Sequence, residues 1–307
     1  MFMDIRIGTG GWAYFKVPGM DSLVAYSKAF DFVEVNSTFY QIPKMEMVKS
    51  WRRRVPEDFE FSVRCHKSIT HQHFLEPTSE VIETFNTMIE ICRYLRSNFL
   101  HISSPLKMEF NREKIKSIRD LFSIIELRGL RLVWEVRGQK NELDHEVVKI
   151  MEDYDIVHCI DLSTQNPQIE SDILYTRIFG KGHHNVYQFT DDELAEIYGK
   201  AKDSKPKRVR KAIHAARMYK DAARLKVFHQ TGKFPRVTKN LGVLSLKEVL
   251  MEDTKFPITK EELVEKQGWK VIDLTETERV HASLLLEKLP EKIYQRVGEI
   301  IKELKKR

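Results

Sequence analysis

Pairs of polar residues close several β-rich segments of this sequence, and their types suit acid–base chemistry on an anionic ligand. Glu34 and Asn36 close one segment, and Glu135 and Arg137 close another. Because alternate residues of a strand point to the same side, each pair is expected to share one face. A carboxylate can accept a proton, and a guanidinium group binds phosphate or carboxylate. These residues are therefore candidates for a catalytic centre.

Glu34 admits two interpretations, because a carboxylate inside a protein is costly unless it is paired or has a function. It either acts at the site or forms a buried ion pair with an arginine. The other candidates are chosen by their position at strand ends, their aromatic character or their positive charge. The catalytic candidates are Glu34, His66, Glu135, Arg137, Arg177 and His214, and the substrate-binding candidates are Trp12, Tyr14, Asn36, Tyr40, Arg64, Asp161, Lys207, Arg208, Arg210, Lys211 and Arg217.

No local spacing typical of a metal site accompanies these residues. His66, His71, His101 and His158 are scattered and form no HxH or HExxH pattern, although a barrel can assemble ligands from distant strands. A divalent metal therefore stays open, and the sequence names no other cofactor. The glycines of Gly8–Tyr14 either approach an anion or form a tight turn, and they lack the pattern of a dinucleotide or triphosphate site.

Eight short β-rich segments recur along the chain and alternate with segments of helical periodicity. They are Ile5–Thr9, Phe32–Asn36, Phe59–Arg64, Phe99–Ser103, Leu132–Arg137, Val157–Leu162, Leu174–Phe179 and Val209–His214. The polar connection from Leu162 to Asp172 predicts a loop. Eight strand–helix units in about 230 residues favour the α/β class and a (β/α)8 TIM-type barrel. Polar residues at the carboxyl ends of its strands would meet at one mouth.

Near residue 232 the alternation of β-rich and helical segments gives way to mostly helical periodicity. This change predicts two domains. Residues 1–232 would form the barrel, and residues 233–307 a mostly helical C-terminal extension. Its expected helices are Leu246–Asp253, Lys260–Gln267, Glu276–Glu287 and Glu291–Lys305. The extension is either an added binding module or a helical brace for the barrel.

Composition excludes several classes of protein. The chain has 307 residues, 42% apolar and 31% charged, which is too much core-forming material for a disordered chain. No apolar segment approaches the roughly 18 residues that span a bilayer, and the start of the sequence lacks the layout of a signal peptide. Three dispersed cysteines favour a reducing compartment, so we expect a cytoplasmic protein without membrane attachment. High charge with few Gln and Cys is typical of thermostable proteins.

Basic residues are concentrated in one stretch of the chain. The net charge is only +6, but Lys200–Lys239 contains 14 Lys and Arg against two acids. Such a stretch is either a solvated surface or a binding surface for phosphates. Its imbalance favours phosphate-bearing ligands, with DNA as the expected partner.

Several motifs, taken in order, resemble the YecE-like family, domain of unknown function 72. They are Gly8-Thr-Gly-Gly-Trp-x-Tyr14, Glu34-Val-Asn-Ser-Thr-Phe-Tyr40, Trp51, Phe61-Ser-Val-Arg64, Ile69-Thr-His71, Pro105, Glu135-x-Arg137, Tyr175-x-Arg177 and Met218-Tyr-x-Asp-Ala222. The resemblance covers about residues 4–232 and implies a TIM-type barrel. Barrels of this family have been likened to those of the endonuclease IV type, which makes a nucleic-acid role an expectation. The chain departs from the family pattern at Arg64, where Lys is common, and at Ile213-His214-Ala215, which replaces Phe-Asn-Asn.

Three functions stay open at this point. The first, which the sequence favours, is a nucleic-acid-processing hydrolase: an endonuclease or phosphodiesterase acting on damaged or structured DNA, as in DNA repair. The second is an isomerase-like enzyme acting on a small phosphorylated or carboxylated metabolite. The third is a non-catalytic nucleic-acid-binding protein whose strand-end charges are ion pairs. The sequence decides neither the substrate nor the oligomeric state.

Overall fold

Eight parallel strands close into a barrel in the computed structural model, which describes residues 3–138 and 142–306. The strands are β1 (Asp4–Thr9), β2 (Phe32–Val35), β3 (Glu60–Arg64), β4 (Phe99–Ser103), β5 (Arg131–Glu135), β6 (Val157–Ile160), β7 (Ile173–Ile178) and β8 (Arg208–Ile213). Each strand pairs with the next, and β8 pairs with β1 from Asp4 opposite Arg208 to Thr9 opposite Ile213. The predicted TIM-type barrel is confirmed.

Helices follow most of the strands along the chain. They are α1 (Ser22–Ala29), α2 (Met45–Arg53), α3 (Ser79–Leu95), α4 (Arg112–Ile124), α5 (His145–Asp153), α6 (Asp191–Asp203) and α7 (Met218–Thr231). The connection from β6 to β7 contains no helix, in agreement with the predicted loop. A groove of about 1030 Å³ opens beside this loop, and none of the predicted site residues lines it.

The barrel interior is apolar in its middle and polar towards the carboxyl ends of the strands. One buried cluster fills the middle with Phe32, Phe99, Val133, Val157, Cys159, Ile173, Tyr175 and Ala212. Because side chains alternate along a strand, the residues two positions further on also face inward. Glu34, His101, Glu135 and Arg177 stand at those positions, so the strand register itself brings charged groups into the mouth.

A buried ion-pair network closes the barrel at the amino ends of its strands. The Arg210 guanidinium pairs with Glu60, and its Nη2 donates to Asp4 Oδ2 at 2.7 Å. Arg210 is only 2% exposed. This network joins β8, β3 and β1 at the end opposite the mouth.

Contacts within the chain define two compact units. The first comprises the described residues up to Ile178 together with Lys200–Ile213, and it contains all eight barrel strands. The second comprises Phe179–Gly199 and the described residues from His214 onward. The domain boundary at residue 232 stays a prediction.

The second unit continues beyond α7 with small elements around a core of its own. These are α8 (Gly242–Met251), β9 (Ile258–Thr259), α9 (Lys260–Gln267), β10 (Val271–Asp273), β11 (Arg279–His281), α10 (Ser283–Leu286), β12 (Ile293–Tyr294) and α11 (Val297–Leu304). Two antiparallel pairs, β10–β11 and β9–β12, form two-stranded sheets. Leu250, Leu263, Ile272 and Tyr294 belong to the buried core.

One helix expected in this region is replaced by a strand. Residues 276–287 form β11 and the single turn α10, because the Leu274 amide donates to the Glu278 carbonyl at 2.9 Å and closes a hairpin. The expected helices at 246–253 and 260–267 correspond to α8 and α9. The expected helix at 291–305 is only partly formed: residues 293–294 pair with β9 as β12, and α11 begins at Val297. Among the helices that the structure describes, none has the length and apolar character needed to cross a membrane.

Candidate functional site

Arg177, at the end of β7, is the centre of a buried ion-pair cluster. Its Nε donates to Glu34 Oε1 at 3.1 Å, and its Nη1 donates to Glu135 Oε2. The Tyr175 hydroxyl donates to Glu34 Oε2 at 3.0 Å and lies 2.8 Å from Ser62 Oγ. Arg177 and Glu34 are 2% and 0% exposed. Of the two interpretations of Glu34, the structure contains the buried ion pair, and a catalytic role for this residue stays a prediction.

A second arginine, Arg64 at the end of β3, is held in one plane by its neighbours. Its Nη1 donates to Asn36 Oδ1 at 2.7 Å, and its Nη2 donates to Ser103 Oγ at 3.2 Å. The Phe39 ring lies 3.7 Å from the guanidinium carbon and covers one face of the group. Burial lowers the pKa of Arg64 to about 10, so the group keeps its charge at neutral pH.

Glu135, at the end of β5, lies between Arg177, Arg137 and His101. Its Oε1 accepts from Arg137 Nε at 3.2 Å, and its Oε2 lies 3.6 Å from His101 Nε2. Burial alone would raise the pKa of Glu135, but Arg177, His101 and Arg137 together hold it well below its usual range. The carboxylate is therefore ionised at neutral pH.

Two histidines near this carboxylate are neutral at physiological pH. Burial lowers the pKa of His101 to about 4, with a further contribution from the positive charge of Arg177. The pKa of His71 is lowered by burial and then by Arg137 and Arg64. His71 Nδ1 lies 2.8 Å from Thr70 Oγ1, and its ring packs against Phe39.

We call this group the mouth cluster, and all of its members lie in the first unit. Its residues are Glu34, Asn36, Ser62, Arg64, His71, His101, Ser103, Glu135, Arg137, Tyr175 and Arg177. It includes six of the predicted site residues: Glu34, Asn36, Arg64, Glu135, Arg137 and Arg177. The arrangement can bind an anion on guanidinium groups and offers neutral imidazole for proton transfer.

Other predicted site residues have different surroundings. His66 lies in the turn after β3, with Nδ1 2.9 Å from Ser68 Oγ. Trp12 packs against Trp51 of α2 in a T-shaped arrangement, with the ring centroids 5.3 Å apart. Asp161 Oδ1 accepts from the Ser163 amide at 2.9 Å and so stabilises the turn after β6. Tyr14 and Tyr40 are exposed, at 83% and 62%.

The basic candidates on β8 and just before it do not join the mouth cluster. Lys207 and Arg208 stand at the amino end of β8, where Arg208 Nη2 lies 3.6 Å from Asp172 Oδ2. Arg210 belongs to the ion-pair network at that same end, so a substrate-binding role at the mouth does not fit it. Lys211 points to the opposite side of β8 from Arg210, and burial lowers its pKa to about 7.

Two further candidates, His214 and Arg217, belong to the second unit. The His214 ring packs 5.0 Å from the ring of Phe179. Arg217 Nη2 donates to Glu252 Oε2 at 2.5 Å and lies 3.7 Å from Asp253 Oδ2. The charge of Arg217 is therefore matched by acids within its own unit.

Sequence reasoning missed several members of the mouth cluster as site residues. Ser62 and Tyr175 precede Arg64 and Arg177 by two positions, and Ser103 follows His101 by two. Extending the alternation rule by two residues along the strand, from Arg64, Arg177 and His101, would have selected them. Phe39 is not a member of the cluster but packs on Arg64; it lies in the short 3-10 turn after β2, and no periodic signal marks it.

No metal centre is evident in the part of the chain that the structure describes. Groups of three or more His, Cys, Asp or Glu side chains able to hold a metal ion do not occur within residues 3–138 and 142–306. The three thiols Cys65, Cys92 and Cys159 are free and buried, and burial raises the pKa of each.

The fold and the mouth cluster define a TIM-type barrel protein with a charged mouth. Comparison with known sequences gives the family: the sequence model described as "Protein of unknown function DUF72" matches residues 6–233. The chain belongs to the DUF72 family, as the strand-end motifs predicted.

Relatives in two bacteria support this assignment. The UPF0759 protein YecE of Escherichia coli K12 is 35% identical over 85 residues, 27% of this chain and 31% of that protein. The UPF0759 protein YunF of Bacillus subtilis 168 is 32% identical over 104 residues, 31% of this chain and 37% of that protein. The matched regions thus span about a third of the length of these relatives.

Solved structures agree with the barrel fold. A DUF72 family protein of Enterococcus faecalis V583 superposes with a TM-score of 0.60 at 17% identity, over 75% of this chain and 98% of that one. A DUF72 family protein of Thermotoga maritima MSB8 gives a TM-score of 0.59 at 18% identity, over 74% of this chain and 99% of that one. At such low identity, the similarity establishes the fold alone.

Proposed function

We propose that the mouth cluster binds a small organic ligand that carries a phosphate or carboxylate group and transfers a proton on it. The observation that carries this proposal is the convergence of Arg64, Arg137 and Arg177 with Glu34 and Glu135 at one end of the barrel. The carboxyl end of the strands is where barrel enzymes place their chemistry. An isomerase-like reaction is the class that this arrangement supports best.

Each part of the cluster has a distinct task in this proposal. Arg137 is one-third exposed, and its two terminal nitrogens have no acceptor within the described residues, so it can donate to a ligand. The Glu34–Arg177 pair is buried, and Arg177 positions Glu135 by pairing with it as well. His71, half-buried and neutral at pH 7, is the proton carrier.

The test uses three ligands with one carbon skeleton: glycerol, glycerol 3-phosphate and glycerate. Isothermal titration calorimetry of the full chain should give an affinity for at least one anion that is about tenfold or more above that for glycerol. Arg137→Ala should abolish the difference, while Arg93→Ala, which alters an exposed arginine of α3, should preserve it. Equal affinity for all three ligands, or no binding at all, would contradict the proposal.

A second candidate is the nucleic-acid-processing enzyme, and the exposed Tyr14 and Tyr40 favour it. Both follow the carboxyl ends of strands, and exposed aromatic rings can stack on bases. The basic stretch supports this candidate less than its composition suggests. Arg210, Arg217 and Arg224 of that stretch are paired with acids.

Salt-titrated binding separates the two candidates. Labelled single-stranded, duplex and abasic DNA would be added to the full chain with and without Mg²⁺, and the same samples inspected for cleavage. The second candidate requires a Kd below about 1 μM at moderate salt, a steep salt dependence and weaker binding by Tyr14→Ala and Tyr40→Ala. Binding without cleavage would favour a non-catalytic nucleic-acid-binding protein, and weaker binding would favour the small ligand.

The proposal includes a reducing, cytoplasmic location. Its support is that the three cysteines are buried and form no disulfide, since disulfides are typical of proteins in oxidising compartments.

A further inference from the structure

The buried Nε of Arg64 indicates which kind of anionic group a ligand would carry. Arg64 is 5% exposed, and its Nε has no hydrogen-bond partner among the residues that the structure describes. His101 stands opposite Arg64 in the register of β3 and β4 and is 0% exposed. Its Nδ1 has no hydrogen-bond partner within the described chain, and its Nε2 lies 3.6 Å from Glu135 Oε2. Buried polar groups left without partners cost free energy, so a ligand atom aimed at them gains by satisfying them.

The orientation of the guanidinium group restricts how a ligand can approach it. Phe39 covers one face at 3.7 Å, and the bonds to Asn36 and Ser103 fix the plane of the group. The Nε–H has no acceptor among the described residues, and Nη2 has two N–H groups, of which Ser103 accepts one. Two parallel N–H donors in one plane match the two coplanar oxygens of a carboxylate.

The charges around Arg64 also favour a ligand with a single negative charge. The charged groups that act most strongly on it are Arg177, Glu34, Glu135 and Arg137, so these five groups, Arg64 included, together carry one excess positive charge. His101 adds no charge near pH 7, because its pKa is about 4. A carboxylate would neutralise this excess, whereas a phosphate monoester dianion would leave an uncompensated negative charge in a buried site, which is costly.

We propose that the mouth cluster selects ligands with a carboxylate over ligands with a phosphate, and that Arg64 is the specificity-determining residue that binds the carboxylate edge-on. This inference rests on the proposed function above, since it chooses between the two anionic groups allowed there.

The experiment compares glycerate with glycerol 3-phosphate by isothermal titration calorimetry, using the full chain and its Arg64→Lys variant. Lysine keeps the positive charge but lacks the planar pair of donors. The wild-type chain should bind glycerate about tenfold more tightly than glycerol 3-phosphate, and Arg64→Lys should remove that preference by weakening glycerate alone. Arg93→Lys, at an exposed position of α3, is the matched control and should keep the preference.

A second variant, Ser103→Ala, keeps the inference testable if Arg64→Lys does not fold. Ser103→Ala leaves every charge in place but removes the acceptor that holds Nη2, so it should also reduce the preference for glycerate. Circular dichroism and thermal unfolding would establish that both variants are folded. Tighter binding of glycerol 3-phosphate, or equal loss of both ligands in Arg64→Lys, would overturn this inference and leave the proposed function intact. Failure of both ligands to bind the wild-type chain would overturn the proposed function and this inference with it.

Discussion

At the scale of single residues, the Glu34–Arg177 pair couples the mouth to the stability of the barrel. Both side chains are almost fully buried, and Arg177 also holds Glu135. Removing one member of a buried ion pair leaves the other charge uncompensated in a medium of low polarity. The cluster therefore both shapes the site and depends on all of its members being present.

Glu34→Gln tests this dependence, since it keeps the shape of the side chain but removes its charge. We expect the free energy of unfolding to fall by about 3–5 kcal/mol, measured by urea denaturation. The control is Asp153→Asn, which breaks an exposed pair with Arg119 and should cost less than about 1 kcal/mol. Similar small losses for both variants would show that the buried charge is compensated in another way.

His101 makes the stability of the protein depend on pH. Its pKa in the folded state is about 4, against about 6.5 in an unfolded chain, so the fold favours the neutral ring. The free energy of unfolding should therefore be unaffected above about pH 6.5 and should decrease as the pH falls from there towards 4. His158, whose pKa burial also lowers to about 4, contributes in the same direction.

His101→Gln should reduce the slope of the free energy of unfolding against pH between about 4 and 6.5, while the share of His158 remains. The ring proton shift of His101 in NMR spectra provides a direct check, because it should stay constant down to about pH 5. Titration of this ring near pH 6.5 would disprove the burial argument.

Strand alternation in the sequence was sufficient to place several of these charged residues. Glu34, Glu135, Arg137 and Arg177 stand at the ends of recognisable strands, and the barrel brings their side chains together. Positive charge alone was a poor guide, because Arg210 faces the same interior from the other end of the barrel. The position of a residue along its strand decides whether its side chain lies at the mouth or at the amino end of the barrel. Composition contains no information about this position.

At the scale of elements, the sequence predicted strands more reliably than it predicted short helices. All eight barrel strands occur close to the expected positions, because each combines β-branched or aromatic residues with a polar boundary. Thr259 and Glu262 form the capping box that predicts the start of α9. The region 276–287 differed because a hairpin bond between residues 274 and 278 pairs β11 with β10. The helical periodicity of residues 276–287 does not include residue 274 or β10, so it could not reveal this pairing.

Gly8 illustrates how closely β1 and β2 approach each other. A Cβ atom at this position would lie 2.0 Å from the Phe32 carbonyl oxygen and 2.8 Å from its carbon. Since both are backbone atoms, β2 would have to move. Gly8→Ala should therefore lower the free energy of unfolding by about 3 kcal/mol or more, measured by urea denaturation.

Gly199 is the matched control for this substitution. It lies within α6, and an added Cβ would meet nothing within 4 Å. Gly199→Ala should stabilise the protein by up to about 1 kcal/mol, because alanine favours the helix. If the two alanine variants had equal stability, the close approach of the strands would not be the cause.

At the scale of the whole molecule, the chain does not divide into its compact units at a single point. The second unit combines Phe179–Gly199 with the residues from His214 onward. Within it, the Val271 amide donates to the Gln188 side chain at 3.0 Å, and Arg279 Nη1 donates to Asp191 Oδ2 at 3.0 Å. These bonds join residues on the two sides of the domain boundary predicted at residue 232.

Truncation at that boundary tests whether residues 1–232 are a domain in their own right. A fragment of residues 1–232 would leave the buried Gln188 side chain and one oxygen of Asp191 without their partners. Each lost buried hydrogen bond costs about 1–3 kcal/mol, so the fragment should unfold at a lower urea concentration than the full chain. Amide hydrogen exchange should show the loss concentrated in residues 179–199 and 214–232, since the barrel strands keep all of their own pairings. An unfolding midpoint equal to that of the full chain, with unchanged protection in those segments, would instead establish residue 232 as the boundary of an independent domain.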